Sequence, residues 1–235
     1  MDFEKTYDSP YNDTDVGLKN FMTGVYSWMT IGILLTAIIS LLTVKTGAVK
    51  YLLNNGIFLI LSVVEIVLVA ILSMRVWKMS KTTATTIYLA YSALNGVTLS
   101  SIFLIYTNSS IATTFFAAAA MFGIFSIYGL ITKGDLTHWS RPLMMGLIGL
   151  IIVSIINIFM KSSKLDWIIS IAGIVLFSLL TVYDTFKLKK SYLTYCTNND
   201  AVVTEKISIL GALTLYLDFI NLFLYLLRFF GKEKN

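Results

Sequence analysis

Cysteine and histidine are almost absent from this chain of 235 residues, which contains one of each, Cys196 and His138. A single cysteine excludes an internal disulfide and a cysteine-ligated metal cluster. One histidine also leaves a zinc or copper site without its usual ligands. Charged residues are scarce too, at 13% of the chain, whereas soluble domains have about 25%. Too few charges remain to cover the surface of a soluble protein.

Long apolar runs fill most of the chain, which is 57% hydrophobic with a mean hydropathy of +0.78. A run of about 18 or more apolar residues is long enough to cross a bilayer as a helix. Seven such runs are present: Gly24–Val44, Gly56–Met74, Ala84–Tyr106, Ile111–Ile131, Pro142–Met160, Trp167–Phe186 and Ile207–Leu227. The sequence therefore predicts an all-α membrane protein with seven transmembrane helices.

Three segments follow from this pattern. Residues 1–20 form a polar N-terminal tail rich in acidic residues, and this tail lacks the basic start and short apolar core of a signal peptide. Residues 21–231 form the transmembrane domain, and residues 232–235 form a short C-terminal tail. The connection Lys187–Lys206 is polar, and we expect it to hold a surface helix.

Lysine and arginine predict the orientation. Eleven of them lie in the tail and in the second, fourth and sixth connections, and seven lie on the other side. The positive-inside rule then places the N-terminus in the cytoplasm and the C-terminus opposite. The net charge of +5 is explained by these helix-end anchors, so we expect the lipid bilayer, and not nucleic acid, as the partner.

Three acidic residues lie inside the predicted spans: Glu65, Asp184 and Asp218. A charged side chain at a helix centre costs about 2.5–3.5 kcal/mol on insertion scales, so each must face the bundle interior, a cavity or a partner. Each can also be a neutral carboxyl that bonds a neighbouring hydroxyl or amide. Three of them in one small bundle favour a functional site.

Asp184 and Asp218 lie at different depths if the sixth helix ends at Phe186. They meet only if the sixth helix runs further or the seventh starts late. Arg75 ends the second span on the same side as Asp184, so it is available as a counter-ion. It can equally be an anchor beside Lys78 and Lys81.

Other polar and small residues have structural interpretations. Asn95, Asn157 and Asn221 are expected to bond across helices. Close helix packing is expected at four glycines, Gly123, Gly129, Gly146 and Gly149.

The last spans carry a resemblance to a known family. The stretch Leu215-Tyr-Leu-Asp-Phe-Ile-Asn-Leu-Phe223, followed by Leu226-Leu-Arg-Phe-Phe-Gly231, resembles the closing signature of the Bax-inhibitor family. The similarity extends over everything after the N-terminal tail. Three further segments agree with the family pattern: Met121–Ser126, Lys133–Leu136 and Tyr183–Thr185. The chain is identified as a bacterial-type member.

The resemblance implies more than the spans alone. It implies that the last helix is enclosed by the other six, and that the protein is a pH-sensitive calcium leak channel of the bacterial inner membrane without a cofactor. Asp184 and Asp218 then form the gating pair and the transient calcium site, and Arg75 latches an aspartate in the closed state. Glu65 provides a further oxygen to the cation path. Since acid weakens the latch but also neutralises the carboxylates, flux is expected to peak at an intermediate pH.

Two alternatives remain open. Some family members regulate other membrane proteins by binding them, which suppresses cell death or inhibits proteases, and such a regulator need not conduct ions. Presenilin-like intramembrane proteases also place a Tyr-Asp and an aspartate on successive helices, as Tyr183-Asp184 and Asp218 do here. However, Tyr216-Leu217 stands where those proteases have Gly-x-Gly, and their Pro-Ala-Leu motif is missing. We therefore predict no enzyme activity.

Overall fold

The computed structural model describes residues 10–54, 56–195 and 201–234, and helices account for most of them. Within these described residues, nine α-helices follow one another. They are α1 (Pro10–Lys45), α2 (Ala48–Asn54), α3 (Ile57–Arg75), α4 (Lys81–Leu99), α5 (Ile102–Ile105), α6 (Asn108–Ile131), α7 (Ser140–Met160), α8 (Ser163–Tyr195) and α9 (Ala201–Phe230).

Among the residues that the structure describes, seven helical segments are long and apolar enough to cross a membrane, which confirms the predicted number. Their outer faces carry large apolar side chains, and Leu59, Met145 and Phe159 are each more than 70% exposed. Exposed apolar surface on this scale matches lipid and not water as the surrounding solvent.

Helix boundaries differ from those expected in three places. α1 begins at Pro10, so half of the segment assigned to a polar tail is helical, while residues 1–9 lie outside the described residues. α8 runs on to Tyr195 and α9 begins at Ala201, so the connection expected to hold a separate surface helix is mostly an extension of α8. The short helices α2 and α5 were not predicted, because neither is long enough to show a helical period.

α9 is the central helix. In its apolar window 72% of the residues are buried, against 6% in the window of α3. Its main neighbours are α1, α4, α6 and α8, while α3 packs mainly on α4 and α7 mainly on α8. The prediction that the last helix is enclosed is confirmed.

The two ends of the bundle differ in charge. One end, called here the basic end, holds Arg75, Lys78, Lys81, Lys133, Arg141, Lys187, Lys189, Lys190 and Lys206. There α9 is joined to α4 by an exposed ion pair, with Lys81 Nζ 2.6 Å from Glu205 Oε1. At the opposite end the C-terminal residues clamp the break between α5 and α6. The Lys234 amide donates to Ile105 O at 2.8 Å, and the Thr107 amide donates to Lys232 O at 3.0 Å.

Only some of the four glycines allow close packing. A Cβ on Gly129 would lie 2.4 Å from Val182 O, so α6 and α8 touch backbone to backbone there. At Gly146 a Cβ would meet Leu176 Cδ1 at 3.1 Å. Gly123 and Gly149 have no such neighbour within 4 Å, so the packing role expected of them was wrong.

A carboxyl pair at the centre of the bundle

Two close contacts fix the register between the antiparallel helices α8 and α9. Towards the end of the bundle opposite the basic end, Gly173 of α8 packs against the ring of Tyr225 of α9. A Cβ on Gly173 would lie 2.5 Å from that ring. Near the basic end, Leu188 lies against Gly211, which also lacks a Cβ. Between these contacts, the register brings Asp184 of α8 opposite Asp218 of α9.

The carboxyl groups of Asp184 and Asp218 face each other within reach of a hydrogen bond. Asp218 is buried, with 4% of its surface exposed, and its Oδ2 accepts no hydrogen bond from an N–H or hydroxyl of the described residues. A carboxyl group donates a hydrogen bond only when it is protonated. Two carboxyl groups this close repel each other when both are ionised, and a proton on either one lets it donate to the other.

The approach of the two aspartates depends on the length of α8. Asp184 lies eleven residues before Tyr195, the end of that helix. The depth mismatch expected from an end at Phe186 is therefore removed by the continuation of the helix. Asp218 lies seventeen residues after Ala201, about 25 Å along α9 at 1.5 Å per residue.

Hydroxyl groups tie the region around Asp184 to two further helices. Thr185 Oγ1 lies 3.0 Å from Ser126 Oγ of α6, and Ser126 Oγ bonds in turn to Tyr26 Oη of α1. The charge of Lys187, three residues further along α8, also acts on Asp184. These contacts hold α8 in place beside the pair and set a positive charge close to it.

A cavity of about 490 Å³ opens at the basic end between α1, α4, α8 and α9. Its wall includes Lys81, Tyr192, Glu205 and Ser208. It stops short of the pair, because Gly211 lies one turn beyond Ser208 and is covered by Leu188. Asp218 lies a further seven residues along α9, about 10 Å at the helical rise. The leucine–glycine contact therefore separates the cavity from the pair.

Arg75 is not in contact with the pair. Its side chain is exposed at the end of α3, and among the described residues the ion pairs are Lys81–Glu205 and Lys190–Asp135. The expected ion pair between Arg75 and Asp184 is thus not formed in this structure. The reason is that α3 packs mainly on α4 and lies at the edge of the bundle.

Glu65 also lies apart from the aspartates and bonds to α4. Its Oε1 lies 2.8 Å from Thr98 Oγ1, and its Oε2 lies 3.1 Å from the side-chain amide of Asn95. Asn95 contacts Tyr216 Oη of α9 at 3.0 Å. Neither Tyr216 nor Thr98 was predicted as a polar partner. For Thr98 a signal was available, because the spacing of Asn95 and Thr98 places both on the same face of α4.

Two of the three asparagines expected to bond across helices do so, and the third does not. Asn95 bonds across helices as expected. Asn157 of α7 does so as well, because its Nδ2 donates to Asp166 Oδ1 of α8 at 2.7 Å. Asn221 instead donates to Leu217 O of its own helix at 2.8 Å, so for this residue the expectation was wrong.

The amino-acid sequence matches a known protein family and several bacterial proteins. Residues 18–235 match the family described as Inhibitor of apoptosis-promoting Bax1. The chain is 47% identical over 220 residues to Inner membrane protein YbhL of Escherichia coli strain K12, covering 93% of this chain and 94% of that protein. It is 40% identical over 238 residues to the protein RP147 of Rickettsia prowazekii, with 100% of each chain covered. A Borreliella burgdorferi protein is 42% identical over 224 residues, 94% of this chain and 96% of that one. This integral membrane protein belongs to the Bax-inhibitor family.

Proposed function

We propose that the protein is a calcium-permeable leak channel whose conduction depends on pH through Asp184 and Asp218. The observation that carries the proposal is the approach of their carboxyl groups to within reach of a hydrogen bond across α8 and α9. Asp218 belongs to the central helix and is buried, so a change in this bond acts on the helix that contacts four others. By the distribution of basic residues we place the basic end in the cytoplasm. The similarity to an inner membrane protein supports a bacterial inner membrane as the location.

The acid side of the pH dependence follows from the shared proton. While the pair holds a proton, it bonds α8 to α9, and neutral carboxyls attract no cation. Loss of the proton leaves two negative charges in contact, which repel each other. Separation of the helices, or binding of a cation between them, relieves that repulsion. Oxygen ligands of this kind suit a hard cation such as Ca²⁺. Flux is therefore expected to rise as the pair is deprotonated.

The alkaline side depends on a counter-ion for ionised Asp184. Lys187 already acts on Asp184 from the same helix, but an ion pair within one helix cannot hold two helices together. Arg75 can do so if α3 shifts towards α8 when the pair opens. Arg75 then lowers flux at high pH and the shared proton lowers it at low pH, so flux peaks at an intermediate pH.

The test is calcium flux into liposomes that contain only the purified protein, measured over a pH series. Asp184→Asn and Asp218→Asn are each expected to flatten the pH profile, because neither variant has two carboxyls to share a proton. Asp135→Asn is the matched control, since Asp135 lies in an exposed connection at the basic end and its replacement should leave the profile unchanged.

Two results would contradict the proposal. Wild-type profiles in both pair variants would show that the pair is structural. No calcium flux from wild-type protein at any pH would favour the alternative of a non-conducting regulator that acts by binding other membrane proteins.

A further inference from the structure

A second chain of hydrogen bonds lies on the other side of α9 from the aspartate pair. We call it the Glu65 chain, and it runs from Glu65 of α3 through Asn95 of α4 and Tyr216 of α9 to Thr36 of α1. Asn95 lies 3.1 Å from Glu65 Oε2 and 3.0 Å from Tyr216 Oη. Tyr216 Oη lies 2.6 Å from Thr36 Oγ1. The chain ends at the backbone oxygen of Ser92, 2.8 Å from Thr36 Oγ1.

The end at Ser92 fixes the direction of every bond in the Glu65 chain. A carbonyl oxygen only accepts, so Thr36 must donate its single hydroxyl hydrogen to it. Tyr216 must then donate to Thr36. Asn95 must in turn present its amide nitrogen to Tyr216, which turns its carbonyl oxygen towards Glu65. A contact between that oxygen and a carboxyl oxygen is a hydrogen bond only if Glu65 carries a proton.

An ionised Glu65 leaves the same chain one hydrogen short. A carboxylate only accepts, so the Asn95 nitrogen must face Glu65, and the Asn95 oxygen must accept from Tyr216. Thr36 then has one hydrogen for two contacts, with Tyr216 and with the Ser92 carbonyl. One of these close oxygen–oxygen contacts is left without a hydrogen. All four contacts are hydrogen bonds only when Glu65 is protonated and the Asn95 amide is turned over.

We propose that Glu65 is a proton-binding site, occupied in this conformation, and that release of its proton reverses the Glu65 chain from Asn95 to Thr36. Since Thr36 belongs to α1, Ser92 to α4 and Tyr216 to α9, the hydrogen bond lost on release is one that joins α1 to a neighbour. The protein then has two proton sites, one on each side of α9, and only one of them is the aspartate pair.

The surroundings of Glu65 are compatible with a neutral carboxyl. Two phenols lie close to Glu65, those of Tyr91 of α4 and Tyr216 of α9, and the Tyr88 ring packs against Tyr216. Among the residues that the structure describes, no lysine, arginine or histidine forms an ion pair with Glu65. Thr98 Oγ1 lies 2.8 Å from Glu65 Oε1 and 3.0 Å from the backbone oxygen of Asn95. With the Glu65 proton on Oε2, both of these oxygens are carbonyl oxygens, and either one can accept the Thr98 hydrogen.

The test is the infrared difference spectrum between wild-type protein and Glu65→Gln in phospholipid vesicles at pH 7. Gln keeps the size of the side chain and has an amide N–H that can donate to the turned Asn95 oxygen, so the variant is expected to fold. The difference should contain the C=O stretching band of a protonated carboxylic acid, which lies at higher frequency than carboxylate bands. Asp135→Asn is the control, because exposed Asp135 should contribute carboxylate bands alone.

The variant Tyr216→Phe tests the hydrogen bonds of the Glu65 chain. Removal of the phenol takes away the acceptor of the Asn95 N–H, so the Glu65 band should shift in frequency. Carboxylate bands in the Glu65 difference at pH 7 would overturn the proton site. An unshifted band in Tyr216→Phe would overturn the reversal of the chain. Neither measurement involves calcium, so its result is independent of whether the protein conducts.

Discussion

Leu188 of α8 lies over Gly211 of α9 so closely that a Cβ on Gly211 would come 2.6 Å from Leu188 Cδ2. The contact lies between the cavity at the basic end and the carboxyl pair. Leu188 is four residues from Asp184, about one helical turn, so it forms an apolar layer between the pair and the cavity. Water or an ion that moves from the cavity to the pair must pass this layer.

The first prediction concerns this layer. Leu188→Ala should raise calcium flux several-fold in liposomes, since it opens a path from the cavity towards Asp184 and Asp218. It should also lower the free energy of unfolding, because a buried leucine replaced by alanine typically costs about 2–5 kcal/mol.

Two controls separate an opened path from a general loss of stability. Leu188→Met conserves side-chain volume and should keep wild-type flux. Leu193→Ala changes a leucine of the same helix that is 44% exposed, so it should leave both flux and stability unchanged. Equal flux in Leu188→Ala and wild type would show that the layer does not limit conduction.

The second prediction concerns the contact between α6 and α8. Gly129→Ala places a methyl group 2.4 Å from Val182 O, and a backbone oxygen cannot move away as a side chain can. The helices must separate, which should lower the free energy of unfolding by about 1–3 kcal/mol. It should also lengthen the 3.0 Å contact between Ser126 and Thr185.

Gly123→Ala is the matched control on the same helix. Its new methyl group would meet nothing within 4 Å, and alanine favours a helix over glycine by about 1 kcal/mol. Thermal unfolding followed by circular dichroism should therefore show a lower midpoint for Gly129→Ala and an equal or higher one for Gly123→Ala. The same shift in both variants would contradict the packing described here.

The third prediction concerns Asp135, which lies outside the membrane in the connection before α7. Its Oδ1 accepts from the Thr137 amide at 3.0 Å and from the Thr137 hydroxyl, and Lys190 lies at 3.8 Å. These bonds lower the pKa of Asp135 below its ordinary value of 3.8. The stabilisation is therefore present above that ordinary value and is lost as the pH falls through the lower pKa of the folded protein.

Hydrogen exchange of the Thr137 amide measures this effect. At pH 5, Asp135→Ala should exchange faster than wild type, and the difference should shrink as the acid protonates Asp135. Asp135→Asn keeps an acceptor oxygen without the charge, so it should retain protection of the Thr137 amide at pH 5 and at the lower pH that protonates Asp135 in the wild type. Protection of the wild type that is independent of pH would contradict the role given to the carboxylate.

The seven spans and the aspartate pair could be predicted because each depends on a large one-dimensional effect. Apolar length marks a span whatever it packs against, and the cost of a charge in lipid requires Asp218 to have a partner. The contacts of Glu65 and Arg75 could not be predicted, because they depend on the rotation and tilt of α3 against α4. A rotation of α3 by a fraction of a turn decides whether Glu65 faces Asn95 or the aspartates, and an apolar run does not encode that rotation.

The last prediction separates the two basic residues proposed to act on ionised Asp184. Lys187 lies three residues from Asp184 on α8, and a positive charge one helical turn away favours an ionised carboxylate. Lys187→Gln should therefore move the acid flank of the flux profile to higher pH and leave the alkaline flank in place.

Arg75→Gln should have the converse effect. Arg75 is exposed on α3 and away from the pair in this conformation, so its loss should not change the acid flank. If Arg75 closes the channel by pairing with ionised Asp184, the variant should keep conducting at alkaline pH, where wild-type flux declines. Lys78→Gln is the control, because Lys78 is exposed just beyond Arg75 at the same end of the bundle. An alkaline decline that persists in Arg75→Gln would exclude Arg75 as the latch, and the proton shared by Asp184 and Asp218 would then account for the acid flank alone.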